Sequence, residues 1–148
     1  MLKDRLAKAN DDYWTGQVLI QERAAEGWLA LAEGRKGDAI AALRQTADLE
    51  DQSGKHVAME NRLSPIREMF GELLLEANEP AQALREFETS LRNNPNRFRS
   101  FAGAAKAAER VGNRAQARSF YEKLVTLAAQ ADDGRPGLIA AKHYLAAN

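Results

Sequence analysis

The amino-acid sequence predicts an all-α fold, an α-α superhelix of antiparallel helix pairs, on three observations. The first is internal self-similarity. Gly71, Ala83 and Phe87 stand at offsets of twelve and four residues, and Ala105, Ala117 and Tyr121 repeat those offsets 34 residues later. Gly27, Ala39 and Leu43 hold the same slots 44 residues earlier, one period plus ten inserted residues. The second is punctuation, because a turn residue follows the first small residue by seven places each time, as Gly34, Asn78 and Gly112. The third is negative: no stretch alternates apolar and polar residues over several β-branched positions, so strands are not signalled. A helix pair of this size cannot bury its own outer face, and stacking neighbours into an array with atypical ends solves that problem.

The elements follow in order. In residues 1–19, Leu2, Leu6 and Ala9 share one helical face and Tyr13 continues the spacing after a break expected at Asn10-Asp11, which gives an N-terminal capping helix. The first pair occupies 20–53, where Gly34 of Gly34-Arg35-Lys36-Gly37 closes the first helix in the left-handed conformation. Arg23 and Glu26 stand at slots usually apolar, which predicts a first helix rotated by about a residue. Residues 54–63 are an insertion, cheap in loop entropy and of the kind that often carries function. The second pair, 64–97, opens on Ser64-Pro65, an N-cap followed by proline at the first helical position, and turns at Asn78 and Pro80. Asn94-Pro95-Asn96 ends it and starts the third pair, 98–131, whose Asn113 and Gln116 form a capping-box pattern. Within 132–148, the stretch Asp132-Asp133-Gly134-Arg135-Pro136-Gly137 precedes a last capping helix at 138–146, in which Leu138, Ala141 and Leu145 would cover the end of the stack. The small residues of each pair mark where its two helices cross closely, and the bulky residue fills the space beside them.

Charge and composition narrow the function. Lys plus Arg number 21 and Asp plus Glu number 21, so the formal charge is zero and the pI is near 6.8. A protein that tracks phosphates needs surplus cations, and this chain has none overall. No cysteine is present, which fits a reducing compartment, the cytoplasm by default, and equally an exported domain without bridges. A single domain of this length buries ~68–70% of the surface its unfolded chain exposes, enough to fold without disulfides or a structural metal. No apolar run approaches the ~20 residues that cross a bilayer, and Met1-Leu2-Lys3-Asp4-Arg5 leads into polar helix, so neither membrane insertion nor an export signal is expected.

These residues resemble the tetratricopeptide repeat (TPR) family, whose pattern of about 34 residues sets two small residues at the helix crossing, a bulky one after the second, and a closing proline. Gly71, Ala83, Phe87 and Pro95 fill all four slots in 64–97. Residues 98–131 keep Phe101, Ala105, Ala117 and Tyr121 without the proline, and 20–53 keep Gly27, Gly34, Ala39 and Leu43. The order of the chain, with YWTGQV in its leading helix and PNRFRSFAGAAKAAE near its end, also resembles the C-terminal part of longer bacterial TPR proteins, which implies a piece of a longer chain.

The resemblance implies a protein–protein interaction scaffold, not an enzyme, with a concave groove lined by the first helix of each pair. Carried over slot by slot, the groove would take Gln21, Ala24, Ala25, Trp28, Leu31 and Ala32 from the first pair. The second pair would give Pro65, Glu68, Met69, Glu72, Leu75 and Glu76, and the third Arg99, Ala102, Gly103, Lys106, Glu109 and Arg110. The expected partner-binding set is Trp28, Leu31, Glu68, Met69, Glu72, Leu75, Glu76, Arg99, Lys106 and Arg110. It runs from apolar through acidic to mostly basic, and suits an extended or helical peptide with an apolar anchor near Trp28, basic groups next and acidic groups last. The competing account pairs Glu72 with Lys106 and Glu76 with Arg110 as exposed ion pairs, worth ~0–1 kcal/mol each. The family's clamp for a chaperone's terminal carboxylate uses Lys, Asn, Lys and Arg at slots held here by Ala24, Trp28, Ala102 and Lys106, so that activity is not expected.

Catalysis needs a nucleophile, base or metal in a converging constellation. The histidines are His56 and His143, neither in a zinc-ligand spacing, and His56 with Glu60 is one loose i,i+4 pair. No phosphate-cradling glycine motif occurs. Neither a cofactor nor a metal is therefore expected. Asn96-Arg97-Phe98-Arg99-Ser100-Phe101 alternates cations with aromatics, as a base-stacking surface does, but Phe101 falls in a core slot and the neutral chain offers no broad basic surface. Nucleic-acid binding is not expected. The alternative to a scaffold is self-association as a homodimer through apolar end helices carrying Leu2, Leu6, Leu138 and Leu145.

Overall fold

The turn and cap signals become seven helices in the described residues of the computed structural model, which are 12–53, 63–131 and 134–147. These are α1 (Asp12–Ala32), α2 (Lys36–Gln52), α3 (Ile66–Glu76), α4 (Pro80–Asn93), α5 (Phe98–Arg110), α6 (Arg114–Leu127) and α7 (Pro136–Ala147). No strand occurs among the described residues. The expectations placed on Leu2, Leu6, Ala9, Asn10-Asp11, the 54–62 part of the insertion with His56 and Glu60, and Asp132-Asp133 lie outside them. The chain divides into two compact units, Met1–Leu73 and Leu74–Asn148, with the division inside α3. No described helix is long and apolar enough to cross a membrane.

The three turns foreseen at Gly34, Asn78 and Gly112 share one construction. Their φ angles are +80°, +57° and +77°, the left-handed region in which a Cβ is penalised and asparagine is the best-tolerated side chain. Each turn closes its helix with two backbone bonds of the Schellman pattern. Gly34 N–H donates to Leu31 O (3.0 Å) and Arg35 N–H to Ala30 O (2.8 Å); Asn78 and Glu79 repeat this onto Leu75 and Leu74, and Gly112 and Asn113 onto Glu109 and Ala108. Asn96, at φ +61°, is a fourth left-handed residue that the repeat pattern did not single out.

The helix starts agree with the sequence in part. Pro80 opens α4 as expected. At α6, Asn113 Oδ1 accepts from Gln116 N–H (3.1 Å), but the Gln116 side chain binds the Asn113 amide (3.0 Å) and donates to Glu88 Oε1 of α4 (2.6 Å) instead of completing the box on the backbone. Asn113→Ala should cost about 1 kcal/mol. A thermal melt would then fall by roughly 2–4 °C for a chain of this size. Ser64-Pro65 behaves differently from expectation. Helix α3 begins at Ile66, the Pro65 carbonyl accepts from Glu68 and Met69 N–H, and the Ile66 N–H donates to Glu50 Oε2 of α2 at 2.7 Å. A buried carboxylate from the preceding helix therefore supplies a cap that the local sequence was expected to supply.

In the first unit α1 and α2 cross at Gly27. A Cβ there would lie 1.9 Å from Leu43 Cδ2, so glycine permits the approach without displacing the end of the Leu43 side chain, and Ala39 and Leu43 are fully buried beside it. Ile20, Ala24, Gly27 and Ala30 face inward while Arg23 and Glu26 are exposed, which is the rotated helix the charges predicted. Residues 12–19, the entry segment, belong to the same helix as 20–32, and the cap expected at 2–9 lies outside the described residues. Arg67 ties the start of α3 to α2 through Asp48 and Asp51 (2.9 Å), and the Arg44 guanidinium lies 6.0 Å from the Phe70 ring centroid.

In the second unit α5 is the central helix. Ala104, Ala105, Ala107 and Ala108 are all fully buried, and their small side chains let α4 and α6 approach. Phe87 of α4 points at Gly103, where an added Cβ would lie 2.3 Å from the ring's Cζ. Phe101 packs on Phe120 with centroids 6.4 Å apart, and the hydroxyls of Ser90 and Ser100, both fully buried, hydrogen-bond at 3.0 Å. Helix α7 starts at Pro136, two residues before the expected position, and buries Leu138 and Ala141.

Candidate interaction surface

Helix α5 has one solvent-facing stripe. Its remaining faces carry Ser100 and four alanines, all buried, so what it presents is Arg99, Lys106, Glu109 and Arg110. Arg99, Lys106 and Arg110 fall at i, i+7 and i+11, the repeat of a single helix face. The other positions carried over onto α5 are partly covered. Gly103 seats the Phe87 ring, and Ala102 lies beside Gly137, whose added Cβ would be 3.3 Å from the Ala102 methyl.

Arg110 has a different partner from the one expected. Its Nη1 donates to the Leu75 carbonyl at 2.7 Å, and Glu76 is exposed and takes no part. Leu75 lies in the last turn of α3, at the negative end of the helix dipole, and its carbonyl oxygen, which accepts the Asn78 N–H at 3.2 Å, has a second lone pair for the guanidinium. A cation within reach gains more there than on a solvated carboxylate.

On α3, Glu68 is fully buried and Leu75 is 6% exposed, so neither side chain is open to solvent; Met69 and Glu72 are half-buried. On α1, Ala24 is buried by the helix rotation, Trp28 and Leu31 are half-buried, and Gln21, Ala25 and Ala32 are exposed. The cation–aromatic run at 96–101 is internally engaged. Phe101 packs on Phe120, and Phe98 is covered by the Arg135 guanidinium at 5.0 Å and by Gly137. Its rings are thus in use as packing groups.

One polar pair was not foreseen. The Tyr121 hydroxyl donates to Glu109 Oε2 at 3.0 Å. Burial, and then the Glu109 carboxylate, push the Tyr121 pKa well above its ordinary value, so the hydroxyl is a donor at neutral pH. Both residues occupy repeat slots that say nothing about each other, and only the crossing of α5 and α6 joins them. Among the described residues, no group of three His, Asp or Glu side chains has the geometry to hold a metal.

The helices, their Schellman turns and the small-residue crossings define an all-α helical-repeat protein of the TPR-like kind. Solved structures carry the same fold. PcrH from Pseudomonas aeruginosa superposes with a TM-score of 0.65 at 17% identity, over 87% of this chain and 90% of that one. PcrH in complex with the chaperone binding region of PopB gives 0.65 at 17% identity, over 86% and 94%. The Sgt2 TPR domain from Aspergillus fumigatus gives 0.63 at 16% identity, over 86% and 75%. No protein-family model and no curated sequence matches the chain. At such low identity the likeness establishes the fold.

Proposed function

We propose that this chain is a non-enzymatic scaffold that binds a partner polypeptide on open helix faces. The residues that the resemblance assigns to it are, in the first unit, the apolar Trp28, Leu31 and Met69 with the acidic Glu72, and, in the second unit, the acidic Glu76 with the basic Arg99, Lys106 and Arg110. Glu68 and Leu75, expected in the same set, are left out because their side chains are buried. The observation that carries the reading is α5, a helix whose exposed residues, Arg99, Lys106, Glu109 and Arg110, are all charged. A neighbour of the same fold solved with a region of another protein adds support. The resemblance to longer bacterial TPR proteins would make the scaffold one part of a larger chain.

The test is capture from a lysate of the source organism by the wild type, by Glu72→Lys with Glu76→Lys, and by Arg99→Glu with Lys106→Glu. Retained proteins are then identified by mass spectrometry. Loss of one protein from both charge-reversed variants, with thermal melts unchanged, is the expected outcome. Equal capture by all three would remove the assigned face. Self-association is a second reading, supported by Leu127 and Ile139, which are 41% and 54% exposed, although Leu138 is 1% exposed and unavailable for it. Sedimentation should show mass rising with concentration if copies pair, and a constant monomer mass would end that reading.

A further inference from the structure

The second unit contains a cleft of about 890 Å³ between α7 and the turn joining α5 to α6. It runs along α7 from Pro136 to Ala147, ~16 Å by helical rise. Such a length accommodates about five residues of extended chain at ~3.3 Å each. Ile139, His143 and Tyr144 line it from α7, at the spacing of one helical face, and Glu109, Arg114 and Tyr121 line it from the other side.

The two kinds of surface in the cleft are adjacent. Ile139 is 54% exposed, a large apolar side chain left open to water, and Tyr144 stacks on Tyr121 with centroids 4.8 Å apart. The charges beside them are unequally satisfied. Glu109 accepts the Tyr121 hydroxyl, whereas Arg114 and His143 make no side-chain hydrogen bond or ion pair among the described residues. Elsewhere in the same unit Arg118 is paired with Glu122. The unmatched polar groups of the cleft are therefore one guanidinium and one imidazole, next to an exposed apolar strip.

We infer that this cleft is a peptide-binding site, distinct from the α5 stripe, for a short acidic segment. It takes a carboxylate side chain at Arg114 and His143 and an apolar side chain against Ile139 and Tyr144. A guanidinium meets a carboxylate with two parallel hydrogen bonds, and because Arg114 and His143 are exposed the pair adds modestly to the apolar contact. The apolar contact supplies the area, and the charge sets the choice of segment.

The test uses a fluorescein-labelled, acetylated hexapeptide of alternating leucine and glutamate, a control with glutamine in place of glutamate, and fluorescence anisotropy at low salt. The wild type should bind the glutamate peptide saturably and the glutamine peptide about three- to fivefold more weakly, the size of a lost exposed charge pair. Arg114→Glu with His143→Glu should give a similar loss. Arg114→Gln, which keeps the first turn of α6 neutral, provides a milder variant should the double one melt early. Arg118→Glu, at an exposed cation outside both the cleft and the α5 stripe, should bind normally, and a loss of binding with Lys106→Glu but not with the Arg114 variants would give the peptide to the stripe and overturn the inference. Absent saturation, equal affinity for both peptides, or unchanged binding by both Arg114 variants would overturn the inference. A dimer that the Arg114 variants abolish would give the cleft to a second copy of the chain and overturn it as well.

Discussion

Gly103→Val is expected to lower stability by about 2–4 kcal/mol. A melt should then fall by roughly 5–15 °C in a chain of this length. The position lies in the middle of α5, where glycine is a poor helix former and a substitution would ordinarily help by up to ~1 kcal/mol. The expected sign is reversed by Phe87. Three ring atoms, Cζ, Cε1 and Cε2, lie 2.3, 2.4 and 2.7 Å from where a Cβ would be built, and the ring is fully buried, so it has nowhere to move. Valine adds two methyl groups to that overlap. The mechanism is checked by a double-mutant cycle: in a Phe87→Leu background the same substitution should cost at least about 1 kcal/mol less. An additive cycle would show that the cost arises elsewhere. The contact at Gly27 is of a softer kind, since the obstacle there is the branched end of Leu43 rather than the tip of a rigid ring.

Glu50→Ala should cost about 2–4 kcal/mol, measured by urea unfolding at neutral pH. Glu50 is 2% exposed, and its Oε2 accepts the first N–H of α3 from sixteen residues away. Truncation removes an acceptor from a buried helix start, leaves space where the side chain lay, and takes a negative charge from the positive end of the helix dipole. Glu50→Gln keeps an oxygen acceptor and should retain more than half of the lost stability. A change under about 0.5 kcal/mol in the alanine variant would mean that water replaces the carboxylate at Ile66, and that the cap is a convenience of packing. Ser64→Ala, by contrast, should have little effect, since the N-cap role expected for Ser64 is taken by Glu50 and Pro65.

The charged stripe on α5 illustrates how far a repeat pattern reads into function. The spacing of small residues placed Arg99, Lys106, Glu109 and Arg110 on one side of a helix, and burial of the alanines leaves that side open. The spacing could not say that Gly103, on the same side, is filled by Phe87, nor that Glu68 turns inward. Repeat slots describe an average unit, and side-chain volume decides which of them a particular neighbour covers. Likewise a period of 34 residues suggested an ion pair between Glu76 and Arg110, while the guanidinium donates to the Leu75 carbonyl, which also accepts the Asn78 N–H.

By itself the sequence determined the helical class, the three left-handed turns at Gly34, Asn78 and Gly112, the crossing residues Gly27, Ala39 and Leu43, and the rotation of α1 signalled by Arg23 and Glu26. Each is a local matter: a φ angle that one residue type tolerates, a periodicity of 3.6, a charge that must reach water. Tertiary structure alone decided the cap of α3 by Glu50, the Arg110 clamp on Leu75, the Tyr121–Glu109 bond and the cleft along α7. In each of the three bonds a polar group on one helix meets one that another helix brings to it, and no spacing within the chain fixes a partner that packing selects.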